Sequence, residues 1–392
     1  MNTDTPTTAA ATPAYTLWDL LAYMLKLGTI GFGGPVALVG YMHRDLVLGR
    51  GWITETEYKE GIALAQIAPG PLATQLAIYL GYVHYRIRGA TLAGVVFVLP
   101  SFLMVLAIGW AYVRFGGLPW MHAVFYGVGA AVIGIIAMSA KKLTERSVGR
   151  DRLLLVIYLL LAALTIITKS EIALLFLASG VVVWWWRHPP GKGRGTPLAA
   201  AALAPVPVLL HALATNKLVQ IALFFTKAGA FVFGSGLAIV PFLYSGVVHG
   251  HKWLTDAQFV DAVAVAMITP GPVVITVGFI GYLVAGVWGA IVAALGTFLP
   301  CYLFTVLFAP HMHRYGHRPA VRAFVDGVTA AAVGAIAGSV VILATRSIVD
   351  LPTAGLALLT AVLLWRFKKL PEPVIIAAAA LFGLIVYPLL HR

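Results

Sequence analysis

The chain has 392 residues, of which 60% are hydrophobic and only 10% charged, and its mean hydropathy is +0.93. Apolar runs of roughly 20 residues, long enough to cross a bilayer, exceed what a soluble core of this size can bury. This composition excludes a soluble domain and indicates a multi-pass membrane protein. The single cysteine, Cys301, excludes an internal disulfide and a thiolate metal cage.

The predicted elements begin after a polar stretch. Residues 1–15 lack a basic segment followed by an apolar core, so they predict a disordered cytoplasmic tail rather than a cleaved signal. Beyond the tail, hydropathy predicts an all-α protein with about 13 spans (range 10–14). In chain order these spans cover residues 18–42, 61–83, 89–113, 120–140, 152–167, 171–186, 197–213, 219–248, 261–283, 287–309, 323–345, 351–365 and 373–390.

The net charge of +13 is distributed unevenly between the predicted loops. With a cytoplasmic N-terminus, seventeen lysines and arginines fall in cytoplasmic loops and eight fall outside. This bias follows the positive-inside rule. The basic excess therefore reflects topology, and no nucleic-acid partner is predicted.

Two halves of the chain repeat one pattern. At an offset of 201 residues, Lys26 matches Lys227, Trp52 matches Trp253, and the PGP motif at 69–71 matches that at 270–272. After a one-residue slip, Pro100 matches Pro300 and GV at 127–128 matches GV at 327–328. We predict two homologous six-span halves, with a first transporter repeat at 16–186, a linker at 187–215 and a second repeat at 216–392.

The orientation of the halves depends on the segment 197–213. If this segment crosses the membrane, seven spans separate equivalent points, and the second half is inverted relative to the first. Loop charge agrees, because Arg86 and Arg88 follow the second span whereas the equivalent loop at 284–289 is uncharged. We therefore predict inverted repeats. The alternative is that the Ala-Pro-Val-Pro run at 204–207 belongs to a surface linker.

Lys26 and Lys227 put a lysine inside equivalent apolar segments. Lys26 lies roughly 12 Å into its segment at 1.5 Å per residue, and PGP at 69–71 lies at a similar depth in the next. A lysine at the bilayer centre costs about 2.5–3.5 kcal/mol unless a wet cavity or a partner solvates it. We predict that both lysines face an anion. Snorkelling of the ammonium groups to the interface is the alternative.

Glycine and proline interrupt the same segments at GFGGP (31–35), at FGSG (233–236) and at both PGP motifs. A half-helix that begins at such a break directs its unpaired N–H groups and its positive dipole end into the gap. We predict broken helices whose four breaks converge on one anion. Ordinary close packing of glycine in membrane helices is the alternative.

Uncharged polar side chains near the breaks can donate hydrogen bonds to an anion, although serine and threonine also bond back to their own helix. No catalytic residue, metal ligand or cofactor is predicted. The predicted substrate-binding set comprises Lys26, Gly33, Gly34, Pro35, Gln66, Pro69, Gly70, Pro71, Thr74, Gln75, Lys227, Gly234, Ser235, Gly236, Thr269, Pro270, Gly271 and Pro272.

These motifs resemble those of the chromate ion transporter family, in which FGGP is followed by an arginine-containing stretch and then by PGP. Here the pattern reads GFGGPVALVGYMHRDLV (31–47) and ALAQIAPGP (63–71), echoed by FGSGLAIVPFL (233–243) and the second PGP. The resemblance covers nearly the whole chain. It implies a long-chain, two-domain member in the bacterial inner membrane that exports chromate using the proton motive force.

The second half departs from this pattern, since Ser235 and Gly236 stand where the first half has Gly34 and Pro35, and Ser245 faces Arg44. We expect the halves to contribute unequally, with Arg44 admitting or gating the anion. Carboxylates at the ends of spans are the available proton carriers, and a solvated helix cap is the alternative role for each. The gating or coupling set is Arg44, Glu57, Glu60, Asp261 and Asp326.

Several function classes compete. A membrane enzyme would need a nucleophile, a metal cluster or an acid pair at depth, and the predicted spans offer none. A P-loop is absent, which argues against ATP-driven transport. Sulfate has the shape and charge of chromate, so substrate identity rests on the resemblance. A passive anion channel is the rival to a proton-coupled carrier, and the oligomeric state, a homodimer included, is left open.

Overall fold

A computed structural model describes residues 15–31, 34–68, 70–115, 119–168, 173–187, 216–230, 239–311, 319–367, 370 and 372–390. Every regular element in this part of the chain is helical, which confirms the predicted all-α class. The predicted tail, apart from Tyr15, and nearly all of the predicted linker lie outside the described residues.

The first half contains seven helices: α1 (Leu17–Ile30), α2 (Gly34–Met42), α3 (Glu55–Ile67), α4 (Leu72–Phe115), α5 (Pro119–Ser147), α6 (Arg152–Thr168) and α7 (Ala173–Arg187). The described second half repeats this order as α8 (Lys217–Ala230), α9 (Ile239–Tyr244), α10 (Asp256–Ile268), α11 (Thr276–Phe308), α12 (Pro319–Ser347), α13 (Leu351–Arg366) and α14 (Glu372–Leu390). Short π-helical segments, His43–Gly49 and Ser245–Gly250, extend α2 and α9. Short 3₁₀ turns at Val273–Ile275 and Ala309–His311 flank α11.

α4 and α11 each contain a sharp reversal at equivalent positions. Arg86 has φ 52° and Gly286 has φ 61°, values outside the helical region. Across the first reversal, a β-carbon on Gly81 would lie 2.3 Å from the carbonyl oxygen of Gly89, whereas a straight helix would separate these residues by roughly 12 Å. We therefore divide α4 into α4a (72–85) and α4b (87–115), and α11 into α11a (276–284) and α11b (287–308).

α1 and α2 form a helical hairpin instead of one continuous span. The hydroxyl of Tyr23, in the middle of α1, donates a 3.2 Å hydrogen bond to Asp45, which follows α2. The rings of Tyr15 and Trp52 stack 4.8 Å apart at the open end. The chain therefore enters along α1, reverses at the GFGGP motif and returns to the end from which it started.

α3 and α4a form a second hairpin with its tip at the first PGP motif. A capping box of Thr54 and Glu57 starts α3. Tyr79 of α4a donates a 3.1 Å hydrogen bond to Glu60 of α3, and His84 lies 3.3 Å from Glu57. Because these contacts join the starts and ends of the two arms, the arms run antiparallel.

The second half repeats both hairpins. The ring of Phe224 in α8 stacks on Phe242 of α9 at 5.6 Å and meets Trp253 at 5.7 Å. α10 begins at a capping box of Thr255 and Gln258 and packs against α11. As in the first half, the two arms of each hairpin lie side by side.

Four of the thirteen predicted spans, namely 18–42, 61–83, 219–248 and 261–283, therefore correspond to hairpins of two helices and not to single continuous helices. Hydropathy averages the two arms of a hairpin into one apolar run, because a glycine-proline break hardly lowers the mean.

The two halves are intertwined. α5 packs against α13 and α14, while α12 packs against α6 and α7. Equivalent glycines allow both contacts: a β-carbon on Gly127 would lie 1.9 Å from the carbonyl of Ala379, and one on Gly327 would lie 2.5 Å from that of Ser179. The last two helices of each half therefore cover α5 or α12 of the other half.

The homologous helices α5 and α12 run in opposite directions. α5 connects to α6 through a short turn that contains Asp151, so the C-terminus of α5 lies beside the N-terminus of α6. Arg187 bridges Asp151 at 2.6 Å and Asp326, near the start of α12, at 2.7 Å. The start of α12 thus lies at the same end of the bundle as the C-terminus of α5.

The described helices include five that are long and apolar enough to cross a membrane, at Leu72–Phe115, His122–Glu145, Val273–Phe308, Arg322–Thr345 and Pro373–Leu390. Three shorter apolar helices lie at Arg152–Thr168, Leu175–Arg187 and Leu351–Arg366. Large apolar side chains on the long helices face outward, as at Trp288 and Leu295, which are 69% and 64% exposed. These features support a multi-pass membrane protein.

Candidate substrate site

The tips of two hairpins from different halves meet in the structure. The backbone N–H of Gly271, in the second PGP motif, donates a 2.9 Å hydrogen bond to the carbonyl oxygen of Gly31, where α1 ends. Beside this contact, Ser101 of α4b donates a weak 3.4 Å hydrogen bond to the carbonyl of Gly28. The GFGGP break of the first half and the PGP break of the second therefore share one location.

The first PGP motif makes the equivalent approach to the other long helix. A β-carbon on Gly271, at φ +95°, would lie 2.0 Å from Oγ of Ser101. A β-carbon on Gly70, at φ +144°, would lie 2.9 Å from Sγ of Cys301. Ser101 of α4b and Cys301 of α11b are equivalent at an offset of 200. Each PGP tip therefore contacts the equivalent helix of the opposite half. Glycine is required at both tips, because of the positive φ and the close packing.

Not all of the predicted breaks can be compared. Gly34 begins α2, but the surroundings of Gly34 and Pro35 lie outside what the structure describes, and Pro71 and Pro272 are buried. Pro270 is also buried beside Gly271. The remaining predicted residues, Gly33, Pro69, Gly234, Ser235 and Gly236, lie outside the described residues.

The predicted polar side chains divide into two groups. Thr269 and Thr276 donate to carbonyl oxygens of their own segments, at 3.1 Å to Val265 and 2.8 Å to Val273, which is the alternative role weighed for them. Gln75 is buried in the first PGP hairpin, and its amide donates a 3.2 Å bond to the carbonyl of Ala68. Gln66 is exposed.

Thr74 differs from these residues. It is 1% exposed, and its hydroxyl has no hydrogen-bond partner among the described residues. It lines a cavity of about 380 Å³ between α4 and α11 whose walls are mostly apolar, with Tyr302 at one end. The hydroxyl of Tyr302 lies 2.7 Å from that of Thr91. An apolar cavity of this kind does not suit a dianion, so this cavity is not the predicted anion site.

Lys26 and Lys227 are exposed on equivalent faces of α1 and α8. In the described part of the chain, neither ammonium group forms an ion pair or a hydrogen bond. Lys26 precedes Gly31 by five residues, which is about 7.5 Å along the helix axis. Among the described residues, both charges therefore lie without an ion-pair partner on exposed faces of the first hairpin arms.

The five predicted gating or coupling residues have different surroundings. Arg44 pairs with Asp45 at 2.7 Å on an exposed surface, and Glu57 caps α3. Glu60 accepts from Tyr79 within its own hairpin, as described above. Asp326 pairs with Arg187. Only Asp261 is buried, at 8% exposure, and it accepts a 2.7 Å hydrogen bond from Tyr112 of the other half.

Sequence reasoning missed three residues at these contacts: Ser101, Cys301 and Tyr112. The repeat contained a signal for the first two, because each is a small residue that follows a matched proline, Pro100 or Pro300. Tyr112 had no such signal, since its contact with Asp261 depends on the packing of the two halves.

A metal centre has no support within the described ranges, where no group of three or more His, Cys, Asp or Glu side chains could hold an ion. His311, His313 and His317 are close together in the sequence and could suggest a metal site, but His313 and His317 lie outside the described residues.

Comparison with known proteins gives a consistent assignment. The family described as "Chromate transporter" matches twice, over residues 18–184 and 219–384. The chain is 69% identical over 401 residues to the "Chromate transport protein" of Cupriavidus metallidurans, covering 100% of both chains. It is 58% identical to the "Probable chromate transport protein" of Synechococcus elongatus, over 96% of this chain and 97% of the relative. A "Chromate transport protein" of Pseudomonas aeruginosa is 34% identical, over 97% and 95% of the two chains.

No solved structure matches the chain. The matched family and relatives are transport proteins and not enzymes, in line with the sequence prediction. The double match also agrees with the predicted two-domain, long-chain type. The chain belongs to the chromate transporter family.

Proposed function

We propose that this chain is a secondary transporter that exports chromate across the bacterial inner membrane and is driven by the proton motive force. Relatives named as chromate transport proteins align with the whole chain, which supports chromate as the substrate. The observation that carries the mechanism is the 2.9 Å hydrogen bond between Gly271 and Gly31, because it joins helix breaks from opposite halves.

The membrane arrangement that we propose has nine crossings and four re-entrant hairpins. Eight crossings are α4b, α5, α6, α7, α11b, α12, α13 and α14. The opposed directions of α5 and α12 support inverted halves, because homologous helices of parallel halves would cross in the same direction. Four crossings in the first half return the chain to its starting side. The ninth crossing, at 197–213, then brings it to the opposite side before α8.

Loop charge supports this arrangement more strongly than it supports thirteen spans. Because each hairpin returns to its own side, Arg44, Arg50 and Lys59 join the cytoplasmic group and Lys252 joins the outer group. Nineteen lysines and arginines then lie on the cytoplasmic side and six outside. A larger inside excess is what the positive-inside rule favours. The first pair of hairpins thus enters from the cytoplasm and the second pair from outside.

The anion site that we propose lies where the hairpin tips meet. α2 begins at Gly34 and α4a at Leu72, so the unpaired N–H groups and positive dipole ends of both helices lie at the breaks. Such helix ends bind oxyanions without a fixed charge. Lys26 and Lys227 supply the charge along the exposed face of each first hairpin arm, where they attract the dianion toward the tips. We propose that the substrate-binding residues predicted from the sequence contribute to this site.

The decisive experiment measures labelled chromate uptake into everted inner-membrane vesicles, in which export appears as uptake. We expect saturable uptake that requires the protein and collapses when a protonophore is added. Vesicles from cells that lack the protein are the control.

Other results would contradict parts of the proposal. Flux that follows the chromate gradient, does not saturate and ignores the protonophore would indicate a channel. Competitive suppression of chromate uptake by equimolar sulfate, together with equal sulfate uptake, would indicate a general oxyanion transporter. Uptake only into right-side-out vesicles would reverse the direction.

A further inference from the structure

We propose that the cavity between α4b, α5, α10 and α14 is a proton-binding site, with Asp261 as the group that carries the proton, and that it is separate from the chromate path. This inference rests on the proposed function, because it identifies where the driving ion binds. Asp261 was predicted only as one of several coupling candidates at the ends of spans.

The cavity is lined partly by polar side chains and contains a buried acid. Its volume is about 340 Å³, and it extends from the end of α4b to the start of α10. Asp261 lines it with only 8% of its surface exposed, and the hydroxyl of Tyr112 donates to Oδ2 of Asp261 at 2.7 Å. Ser347 also lines the cavity, and its hydroxyl is buried without a partner among the described residues. The site therefore has unused hydrogen-bonding capacity next to a buried carboxyl group.

The electrostatic environment opposes an anion. None of the described residues that line the cavity is a lysine or an arginine, while two are aspartates. At the equivalent place in the other half, Arg187 and Arg322 stand where this cavity has Tyr387 and His122. Chromate would be repelled here, whereas a proton would be attracted. Among the described residues, the titratable groups that line the cavity or contact its lining are Tyr112 from α4b, His122 and Tyr126 from α5, Asp256 and Asp261 from α10, Tyr387 from α14, and Asp350, which accepts a hydrogen bond from Tyr126.

A proton fits this site better than a metal cation does. A calcium or magnesium ion needs about six or more oxygen ligands, from the protein or from water, each of which directs a lone pair at the ion. Here Tyr112 donates to Asp261, and Tyr244 donates to Asp256 at 2.5 Å, so each tyrosine hydroxyl hydrogen points at a carboxylate. Within the described ranges no cluster of three ligating side chains occurs.

The position of Asp261 links the proton to the chromate site. Tyr112 belongs to the first half and Asp261 to the second, so their hydrogen bond crosses between the halves. In the first half, Glu60 is instead bonded to Tyr79 of its own hairpin. α10 (Asp256–Ile268) carries Asp261 near its middle and ends roughly 10 Å further along its axis, three residues before Gly271 at the tip. A movement of α10 at Asp261 is therefore transmitted to the contact between Gly271 and Gly31.

The cycle follows from the cost of burying charge. Ionised Asp261 accepts a charge-assisted hydrogen bond from Tyr112, which holds the two halves together at this end. A proton that enters from the outer side binds to the carboxylate, weakens this bond and removes the desolvation cost of a buried charge. The hairpin can then shift and open its tip. Loss of the proton to the cytoplasm restores the original contact.

The test uses purified protein in liposomes, with chromate exchange and flux driven by an imposed pH gradient measured side by side. For Asp261→Asn we expect the ratio of gradient-driven flux to exchange to fall at least tenfold. Tyr112→Phe keeps Asp261 but removes the hydroxyl that donates to its carboxylate and favours the ionised form. The pH dependence of flux in this variant should therefore shift to higher pH by roughly one unit. Glu145→Gln removes an exposed carboxylate paired with Lys141 and serves as the control.

The outcomes separate this inference from the proposed function. A wild-type ratio in Asp261→Asn, an unshifted profile in Tyr112→Phe, or flux driven by a sodium gradient and not by pH would overturn the inference. In the first two cases the proposed function would stand. In the third, chromate transport would stand but its coupling to protons would not. Conversely, absence of chromate flux in the wild type, with a proton leak that still depends on Asp261, would contradict the proposed function and support the proton site.

Discussion

Gly271 donates its backbone N–H to the carbonyl oxygen of Gly31 at 2.9 Å, so a glycine of the second half holds the end of the first helix of the other half. Both residues lie at helix breaks, where backbone groups lack their usual partners. A transport cycle that moves one hairpin relative to the other must break this hydrogen bond. The contact between these two glycines is therefore a natural point at which a substitution should affect transport.

Gly271→Ala should impair both the fold and the flux. The new β-carbon would lie 2.0 Å from Oγ of Ser101, and the φ of +95° disfavours any side chain. An unfavourable backbone conformation of this kind costs about 1–3 kcal/mol. We expect a lower thermal unfolding midpoint in detergent and at least a tenfold loss of chromate flux in vesicles.

Gly355→Ala is the matched control, because a β-carbon at that position in α13 meets nothing within 4 Å. Alanine is favoured over glycine inside a helix by about 1 kcal/mol, so this variant should be at least as stable as the wild type. Wild-type flux in Gly271→Ala would show that the tip contact is not required.

Lys26→Ala and Lys227→Ala should each reduce chromate flux by roughly tenfold or more while the protein stays in the membrane. A factor of ten corresponds to about 1.4 kcal/mol, a modest share of what an ammonium group contributes to attracting a dianion. Lys26→Arg keeps the charge and should retain most of the flux. Flux is measured in everted vesicles and protein level by immunoblot.

Lys59→Ala controls for loss of an exposed lysine, since Lys59 pairs with Glu55 at 3.2 Å on the surface of α3. Unchanged flux in both alanine variants of the predicted site would remove the two lysines from it. Such a result would leave the helix ends as the only anion-binding groups.

The sequence predicted the helical class, the repeat and the breaks at the glycine-proline motifs, because each of these features depends on local composition and residue spacing. The reversal of direction at the breaks was not predicted, since hydropathy carries no information about where a chain goes after a break. The hydrogen bond from Tyr23 to Asp45 is what distinguishes a hairpin from a span.

The candidate site was predictable only as a set of motifs. The contact of Gly271 with Ser101, and that of Asp261 with Tyr112, join residues from opposite halves. No local pattern specifies such pairs, because they depend on how the halves pack. Intramembrane lysines were visible in the sequence, but the exposure of Lys26 on the outer face of α1 was not.

The re-entrant arrangement makes an unambiguous labelling prediction. In a Cys301→Ser background, Gly49→Cys should react with a membrane-impermeant maleimide only from the cytoplasmic side, and Gly250→Cys only from outside. Both glycines are exposed at the open ends of their hairpins, so the new thiols are accessible. The experiment compares intact cells with everted vesicles.

Solubilised membranes provide the control for this labelling, because both thiols should then react fully. Labelling of both positions from one side would mean parallel halves. The opposite pattern, with Gly49→Cys reactive from outside, would restore thirteen crossings.

The ion-pair cluster of Asp151, Arg187 and Asp326 should make stability depend on acid pH. Oδ1 of Asp151 accepts the backbone N–H groups of Leu153 and Leu154 at 2.8 and 3.1 Å, and Oδ2 accepts from Arg187 at 2.6 Å. The bond from Leu154 and the guanidinium of Arg187 lower the pKa of Asp151 below its ordinary value, although partial burial opposes them. A carboxyl group whose pKa is lower in the folded state stabilises the fold above its unfolded pKa, and this contribution is lost as pH falls through the folded pKa. The thermal midpoint of the wild type should therefore drop as pH is lowered from about 5 to about 3, whereas Asp151→Asn should be less stable at pH 7 and its midpoint should change less over that interval.

Glu145→Gln, which changes an exposed carboxylate near the same end, is the control and should follow the wild-type curve. Parallel curves for Asp151→Asn and the wild type would show that this cluster does not contribute to acid sensitivity.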